Sequence, residues 1–182
     1  MAYGRIIPVD TLQQLLSCDP KAGLLIWRAR PRGMFSDLRS FQAWNARYAG
    51  KEAFTSLSHD GYRQGTVLGH GAIRAHRVIF ALATGAWPKG HLDHINGDKI
   101  DNRMSNIRNV TPSQNLRNSR RYRHNTSGVN GVHWDKRAKR WVARIRADGK
   151  NCHLGYFDNL AAAAVARGEA NRLHGYTERH GK

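Results

Sequence analysis

The sequence predicts an α+β fold built from short antiparallel strands and short helices. Two patterns indicate this: apolar and polar residues alternate in several short runs, and residues typical of helix starts and stops bound other segments. In the centre of the chain the predicted order is strand, loop, strand, helix, and near its end three strands precede one helix. With 182 residues, 40% of them hydrophobic, the chain can form one medium domain or two small ones.

The first part of the chain predicts one helix, one strand and one hairpin. Residues 9–20 are amphipathic, with Asp10 as the predicted N-cap and Pro20 as the end of the helix. The apolar run 23–30 predicts a strand. Residues 62–74 predict a hairpin in which glycine supplies the turn.

Residues 31–50, between that strand and the hairpin, have no clear periodicity. Trp44 and Tyr48 flank Arg47 in this segment. The group fits either a DNA contact or a small core, and a small core is the preferred interpretation.

The central segment predicts a helix over 75–85, which Gly85 ends. Two strands are predicted after it, over 91–95 and 106–110, joined by a long polar loop. The sequence Thr111-Pro112-Ser113-Gln114 then begins another helix, because Thr is an N-cap, Pro suits the first helical position and Gln completes a capping box.

The last third predicts a three-stranded antiparallel sheet with one helix across it. A polar, turn-rich linker is expected at about 122–128. The strands are 131–134, 140–147 and 151–157, with a favoured hairpin turn at Asp148-Gly149. Asp158-Asn159 caps an Ala-rich helix that Gly175 ends.

Charge narrows the function classes. Thirty Lys+Arg against thirteen Asp+Glu give a net charge of +17, whose usual partner is a polyanion. Nucleic acid is favoured over lipid, because the basic residues do not follow one amphipathic helix. No apolar run approaches the roughly 18 residues of a membrane span, and the N-terminus lacks a signal-peptide pattern. We expect an intracellular protein in which Cys18 and Cys152 are ordinary thiols.

The residue pair Asp93-His94 suggests hydrolysis of a phosphodiester. That reaction needs a base to deprotonate water, and an imidazole of near-neutral pKa serves this purpose. It also needs a hard divalent cation held by oxygen ligands, which Asp93 and Asn115 could supply. Neighbours on a regular strand point to opposite faces, so Asp93 and His94 can share a site only at a strand end or distortion.

The segment from Ala75 to Asn118 resembles the HNH domain of phage and intron homing endonucleases, a ββα-metal (His-Me finger) fold. The resemblance rests on an HR pair in a short helix, on the pattern DHxxGxxxDNRxxNLR from Asp93 (here with Ile at the Leu position), and on an Asn in the following helix. It implies that His94 is the general base. Asp93 and Asn115 would hold one Mg²⁺ or Mn²⁺ ion per active site, and Asn106 would brace the base or the loop.

One departure from the pattern concerns the metal. The third residue of the motif is often a second metal-binding His, and here it is Asn115. An amide oxygen weakens the affinity for softer transition metals and favours magnesium.

Other polar residues near the motif have structural alternatives. Asn102 is expected to bond its own backbone in the loop, and Asn106 has the same alternative. Asp98 and Asp101 are expected to shape the loop rather than bind metal. Two histidines complete the group: His76 is expected to be a structural helix residue, and His91 either to support a residue of the site indirectly or to face solvent.

Residues 128–175 resemble the apetala-type (ethylene-response-factor-like) DNA-binding domain, which places a three-stranded sheet in the major groove. Strand alternation independently predicts a core face with Trp141, Ala143 and Ile145 and an opposite face of Arg, Asn and His. The alternative is a solvated charged face. The full set of predicted DNA-binding residues is Arg77, Arg117, Arg121, His133, Arg140, Arg144, Arg146, Asn151 and His153.

Together these features predict three regions: an N-terminal extension (1–70), a nuclease domain (71–122) and a DNA-binding domain (126–176). The expected function is metal-dependent endonuclease cleavage of double-stranded DNA, nicking one strand, in the cytoplasm of a phage-infected bacterial cell. No membrane and no obligatory protein partner are expected. The alternative is a DNA-binding regulator with a vestigial nuclease fold. An RNA-binding protein is disfavoured, since the usual aromatic motifs are missing from the sequence.

Overall fold

A computed structural model describes residues 7–117, 124–147, 149–176 and 180. The chain divides into two compact units, Met1–Asn109 and Val110–Lys182. Each combines helices with small antiparallel sheets, which confirms the predicted α+β class. The predicted DNA-binding residue Arg121 and the predicted turn residue Asp148 lie outside the described residues.

The first unit contains three helices and three small sheets among its described residues. Its elements are α1 (Val9–Leu15), β1 (Leu16–Asp19), β2 (Leu24–Trp27), a 3₁₀ turn (Arg32–Met34), α2 (Leu38–Tyr48), β3 (Ser56–Leu57), β4 (Arg63–Val67), β5 (His70–Arg74), α3 (Ala75–Thr84), β6 (His91–His94), a second 3₁₀ turn (Met104–Asn106) and β7 (Ile107–Val110). The sheets have the orders β1-β2, β3-β4-β5 and β6-β7.

The N-terminal helix is shorter than the sequence predicts. Pro8, not Asp10, takes the N-cap position, and α1 ends at Leu15. The remaining residues form β1, which pairs with β2 from Leu16↔Trp27 to Asp19↔Leu24. Strand pairing prevails over the helical pattern here because it satisfies the backbone of 16–19 while keeping Leu16 buried.

Helix α2 was not predicted, because its pattern lacks a buried stripe. None of its residues is buried. The helix is capped by Asp37, whose carboxylate accepts from the Ser40 N–H at 2.7 Å. Trp44 packs edge-on against Trp27 at 5.7 Å between ring centroids, as the small-core interpretation expects, whereas Tyr48 remains 36% exposed.

One hydrophobic core joins the predicted extension to the helix before the motif. The predicted hairpin is present as β4 and β5, and α3 ends at Gly85 in the left-handed conformation, as expected. The core combines residues from both sides of position 70: Ile7, Leu12, Leu15, Leu16, Leu25, Ala53, Phe54, Val67, Ala75, Val78, Ile79 and Ala81. The predicted domain boundary at residue 70 therefore falls inside a shared core.

The second unit contains α4 (Pro112–Arg117), β8 (Val132–Asp135), β9 (Arg140–Ala147), β10 (Lys150–Phe157) and α5 (Leu160–Leu173). The predicted capping box is present: the Gln114 N–H donates to Thr111 Oγ1 at 3.2 Å, and the Thr111 N–H donates to Gln114 Oε1 at 2.9 Å. The strands form the predicted meander in the order β10-β9-β8. Asn159 caps α5.

Helix α5 covers the core face of this sheet, with Val132, Ala143 and Ala163 at the centre. Two details differ from the strand pattern. Val142 alternates with Ala143 and so belongs to the face of the arginines, yet it is fully buried, in register between His133 and Tyr156 on the neighbouring strands. Trp134, on the edge strand β8, is 45% exposed rather than part of the core.

Within the described residues, no helix has both the length and the apolar character of a membrane span. Cys18 and Cys152 are both free thiols, as predicted.

Candidate active site

His94 is the last residue of β6, which satisfies the geometric requirement stated above. The chain turns immediately after it: the Gly97 N–H donates to the His94 carbonyl at 2.9 Å, and Gly97 has φ 68°. Glycine suits this turn because a left-handed backbone strains other residues. Asp93 and His94 therefore lie at a strand end, as that requirement demands.

Asn102 holds the His94 ring from inside the protein. The His94 side chain is buried, with 3% of its surface exposed, and its Nε2 lies 3.0 Å from Asn102 Oδ1. An amide oxygen only accepts hydrogen bonds, so this contact requires a hydrogen on Nε2. Neutral His94 then carries its lone pair on Nδ1, the tautomer in which Nδ1 is the base. The expectation that Asn102 serves only its own loop is wrong.

Two further rings surround His94. His76 on α3 meets it edge-on at 5.0 Å between ring centroids, and Tyr62 lies 5.8 Å away. His76 is buried, as a structural helix residue should be, and its Nδ1 has no hydrogen-bond partner among the described residues. Burial is the main cause that lowers the pKa of His76 to about 3, and the effects of charge at His94, Arg77 and Arg74 add to it. A neutral imidazole therefore packs against His94 at ordinary pH.

Asp93 is paired with Arg108 across β6 and β7. Arg108 Nε and Nη2 donate to Asp93 Oδ2 at 3.0 and 2.8 Å, and the carboxylate side chain is 12% exposed. The Ile95 N–H donates to the Asn106 carbonyl at 2.8 Å. In this antiparallel register, the residue two before Ile95 lies opposite the residue two after Asn106, which places Asp93 opposite Arg108. The register of the hairpin is therefore sufficient to predict the pair.

Asn106 ties the two ends of the loop together. Its Oδ1 accepts from the Asn96 N–H at 2.9 Å, and its Nδ2 donates to the Asp101 carbonyl at 2.8 Å. These are the contacts of a brace for the loop. Any part of Asn106 in the chemistry itself stays a prediction.

The two loop carboxylates bond within the loop. Asp98 Oδ1 accepts from the Ile100 N–H at 3.1 Å. Asp101 binds the Arg103 guanidinium at 2.7–2.8 Å, and this contact is the main reason why the pKa of Asp101 falls to about 2. Both contacts agree with the loop-shaping interpretation.

The turn between β1 and β2 supports the loop that carries Asn102. The Met104 N–H donates to the Pro20 carbonyl at 2.9 Å. Gly23 has φ +72°, and a Cβ at this position would lie 2.5 Å from the backbone of Asn102 and Arg103. Only glycine permits this approach, so residues of the predicted extension help to place Asn102.

The remaining predicted residues of the motif region are placed as follows. Asn115 is exposed on α4 in the second unit, and its role as a ligand stays a prediction. Arg77 donates to the carbonyls of Pro88 and Gly90 at 3.3 Å, which is a structural use of its guanidinium. Arg117 lies 5.9 Å from the Tyr176 ring.

The exposed sheet face of the second unit brings the C-terminal candidates together. Strand register pairs Arg144 with His153 and Arg146 with Asn151, and all four are exposed. The predicted residues His133 and Arg140 occupy the same face by alternation. Arg140 differs from the others, because its guanidinium donates to Asp158 at 2.6 and 2.9 Å.

Among the described residues, no group of three or more His, Cys, Asp or Glu side chains is arranged to hold a metal ion. The donor chemistry still fits one hard cation, since Asp93, which precedes His94 in the sequence, offers a partly buried carboxylate. Magnesium commonly uses only one or two carboxylates and completes its shell with water and phosphate oxygens.

Comparison with known proteins also points to the segment around His94. Residues 74–117 match the HNH endonuclease family, and the segment includes Asp93, His94, Asn106 and Asn115. Protein 3.8 of Escherichia phage T7 is 32% identical over 105 residues, which are 57% of this chain and 87% of that protein.

This chain also aligns with a solved structure of the HNH homing endonuclease I-HmuI, described as showing DNA binding and cleavage. The TM-score is 0.40 and the sequence identity is 20%. The alignment covers 62% of this chain and 55% of that one. This chain therefore spans little more than half the length of that solved structure.

Proposed function

Because this chain belongs to the family of the phage T7 Protein 3.8 and carries an HNH endonuclease domain, we propose that it is a metal-dependent DNA endonuclease of the homing type. The observation that carries the proposal is the environment of His94: a buried imidazole at a strand end, oriented through Nε2 by Asn102. That arrangement directs a neutral Nδ1 to act as a base.

The proposed reaction is hydrolysis of one phosphodiester. His94 Nδ1 takes a proton from water, the water oxygen bonds to phosphorus, and the bond to the 3′ oxygen breaks. The 3′ oxygen takes a proton from solvent water and the His94 imidazolium returns its proton to solvent, which leaves a 3′-hydroxyl, a 5′-phosphate and neutral His94. The Asn102 amide oxygen stabilises the imidazolium that forms, since a hydrogen bond to a charged donor is stronger than one to a neutral donor.

One Mg²⁺ or Mn²⁺ ion per active site is part of the proposal, with Asp93 and Asn115 as its protein ligands. When bound, the cation would neutralise charge on the phosphate and the leaving oxygen. Arg108 supports this role of Asp93 by fixing one carboxylate oxygen through two hydrogen bonds. A single site of this kind cuts one strand, so nicking is the expected outcome.

The same proposal assigns duplex DNA recognition to the sheet face of the second unit. Arg144, Arg146, Asn151 and His153 supply donors on neighbouring exposed positions, as an apetala-type module would. Such donors can bind phosphates and base edges. We place the activity in the cytoplasm of an infected bacterial cell, with no membrane and no obligatory protein partner.

Nicking of supercoiled plasmid in the presence of Mg²⁺ tests the nuclease assignment. The wild-type chain should convert plasmid to open circles, and His94→Ala should reduce the rate at least about 100-fold, as loss of a general base does. His91→Ala is the matched control, because His91 is an exposed histidine on the same strand. Full activity in His94→Ala would exclude His94 as the base. If the wild-type chain binds DNA without nicking it, the alternative of a DNA-binding regulator with a vestigial nuclease fold would be favoured.

The sheet face is tested by Arg144→Gln. Removal of one phosphate contact should lower the salt dependence of DNA binding by about one unit of slope. Arg172→Gln is the control, since Arg172 is exposed on α5 rather than on the sheet. Equal effects of the two substitutions would remove the sheet face from the proposal.

A further inference from the structure

Helix α2 presents a basic face that the proposed function does not use. Five exposed residues form what we call the outer face of α2: Arg39, Gln42, Ala43, Ala46 and Arg47. With 3.6 residues per turn they span about 140° of the helix circumference. The helix itself contains no Asp or Glu.

The opposite side of α2 is fixed to the first unit. Phe41 and Trp44 are half-buried, and Trp44 contacts Trp27 and Tyr48 at 5.7 and 5.2 Å. Asn45 binds the backbone of Arg30 twice, accepting at 2.9 Å and donating at 3.0 Å. An isolated helix of this length is marginal in water, so these contacts stabilise α2 and determine which face is outward.

Charge around α2 favours a polyanion. Residues 28–51 contain six Lys or Arg and one acidic residue, Asp37, which gives +5. The Asp37 carboxylate accepts from Ser40 as the helix cap. Among the ion pairs of the described residues, none involves Arg39 or Arg47. The positive charge of the outer face is therefore not neutralised by a neighbouring carboxylate.

We propose that the outer face of α2 docks on duplex DNA, as a contact additional to the sheet face of the second unit. The inference rests on the proposed function, in which DNA is the substrate. An α-helix fits the major groove, which is about 12 Å wide. Ala43 and Ala46 at the centre of the face permit close approach, whereas larger side chains would hold the helix away.

The side chains on the outer face match this role in type and spacing. Arg39 and Arg47 are eight residues apart, or about 12 Å along the helix axis, so they flank the alanines and reach toward phosphates or guanine edges. Gln42 lies between them and carries the amide that pairs with adenine edges.

Salt-dependent DNA binding tests the inference with the variant Arg39→Gln/Arg47→Gln. Binding to a duplex of about 30 base pairs is measured in EDTA, where a metal-dependent enzyme does not cut. Loss of two phosphate contacts should lower the slope of log Kd against log [salt] by about 2 and weaken binding about tenfold or more at 150 mM salt. Lys21→Gln/Lys89→Gln, two exposed lysines of the same unit, is the control with equal charge loss.

The outcomes separate the possibilities. Slopes reduced equally by both double variants would overturn the inference, because net charge alone would explain them. Arg39→Lys/Arg47→Lys should keep the slope, and a wild-type thermal melting curve excludes unfolding. If the outer face instead binds a second copy of this chain, the protein should self-associate without DNA, and Arg39→Gln/Arg47→Gln should abolish that association. This result would also overturn the inference. Plasmid nicking by the wild type reports separately on the proposed function, whichever slopes are found.

Discussion

Replacement of Asn102 tests whether orientation of His94 limits the reaction. Asn102 is 2% exposed, and its Oδ1 lies 3.0 Å from His94 Nε2. In Asn102→Ala the imidazole keeps its packing against His76 and Tyr62 but loses the acceptor that selects its tautomer. In the proposed reaction His94 becomes a cation, so the lost bond is of the charge-assisted kind.

The expected magnitude follows from that bond. A hydrogen bond to a charged group contributes about 1.5–3 kcal/mol. Because about 1.36 kcal/mol changes a rate tenfold, kcat for Asn102→Ala should fall by about 10- to 150-fold. KM should change little, since Asn102 is buried away from DNA. Asn102→Asp keeps an acceptor and should retain more activity than Asn102→Ala.

The assay is plasmid nicking with plasmid in excess over a range of concentrations, which gives kcat and KM, together with thermal melting to verify the fold. Asn96→Ala is the matched control: Asn96 belongs to the same loop and bonds Asp98 and Asp101, but is exposed. Its kcat should stay within about threefold of wild type, because no contact of His94 changes. A folded Asn102→Ala variant with wild-type kcat would refute the orienting role.

Two further predictions concern stability. Folding lowers the pKa of His76 to about 3, so between about pH 6.5 and pH 3 the unfolded chain binds a proton there that the folded chain does not. The free energy of unfolding should therefore decrease as the pH is lowered through this range, by up to about 1.4 kcal/mol per pH unit. Urea unfolding measured between pH 7 and 4 gives the slope of unfolding free energy against pH. This slope should be smaller for His76→Gln than for the wild type and unchanged for the control His59→Gln, whose histidine is exposed. Equal slopes for the two variants would contradict the prediction. Gly131→Ala should cost about 3 kcal/mol, because the new Cβ would lie 2.4 Å from the Arg144 carbonyl in a left-handed backbone. Gly149→Ala, also left-handed but without a described atom within 4 Å, should cost about 1 kcal/mol, and equal losses in urea unfolding would exclude the contact as the cause.

Local patterns predicted the elements whose boundaries are set by neighbouring residues. The capping box at Thr111, the stop at Gly85 and the three strands of the second unit all depend on residues a few positions apart. Strand β1 and helix α2 were missed for opposite reasons. Residues 9–20 have a helical pattern, but residues 16–19 form a strand because they pair with β2. Helix α2 has no fully buried residue, so its sequence lacks the periodic apolar stripe that would predict a helix.

The candidate site was predictable in its motif residues and not in their partners. Asp93 and His94 follow from the chemistry of hydrolysis and from the pattern around them. Arg108 needed the hairpin register, which the sequence implies once both strands are placed. Asn102 could not be assigned, because loop asparagines bond their own backbone as readily as a distant ring. Tyr62 precedes β4, outside the segment that carries the motif, and has no signal of its own in the sequence.

The turn at Pro20–Gly23 has a consequence for exchanging parts of this protein. The segment that matches the HNH family begins at residue 74, yet the backbone that positions Asn102 rests on the turn at Gly23. A transplant of the motif alone would leave that loop without its support and expose the apolar side of α3. The part that must be kept together to preserve the surroundings of His94 is therefore the stretch from residue 7 to residue 109, and a transplant of the proposed active site would also have to carry Asn115.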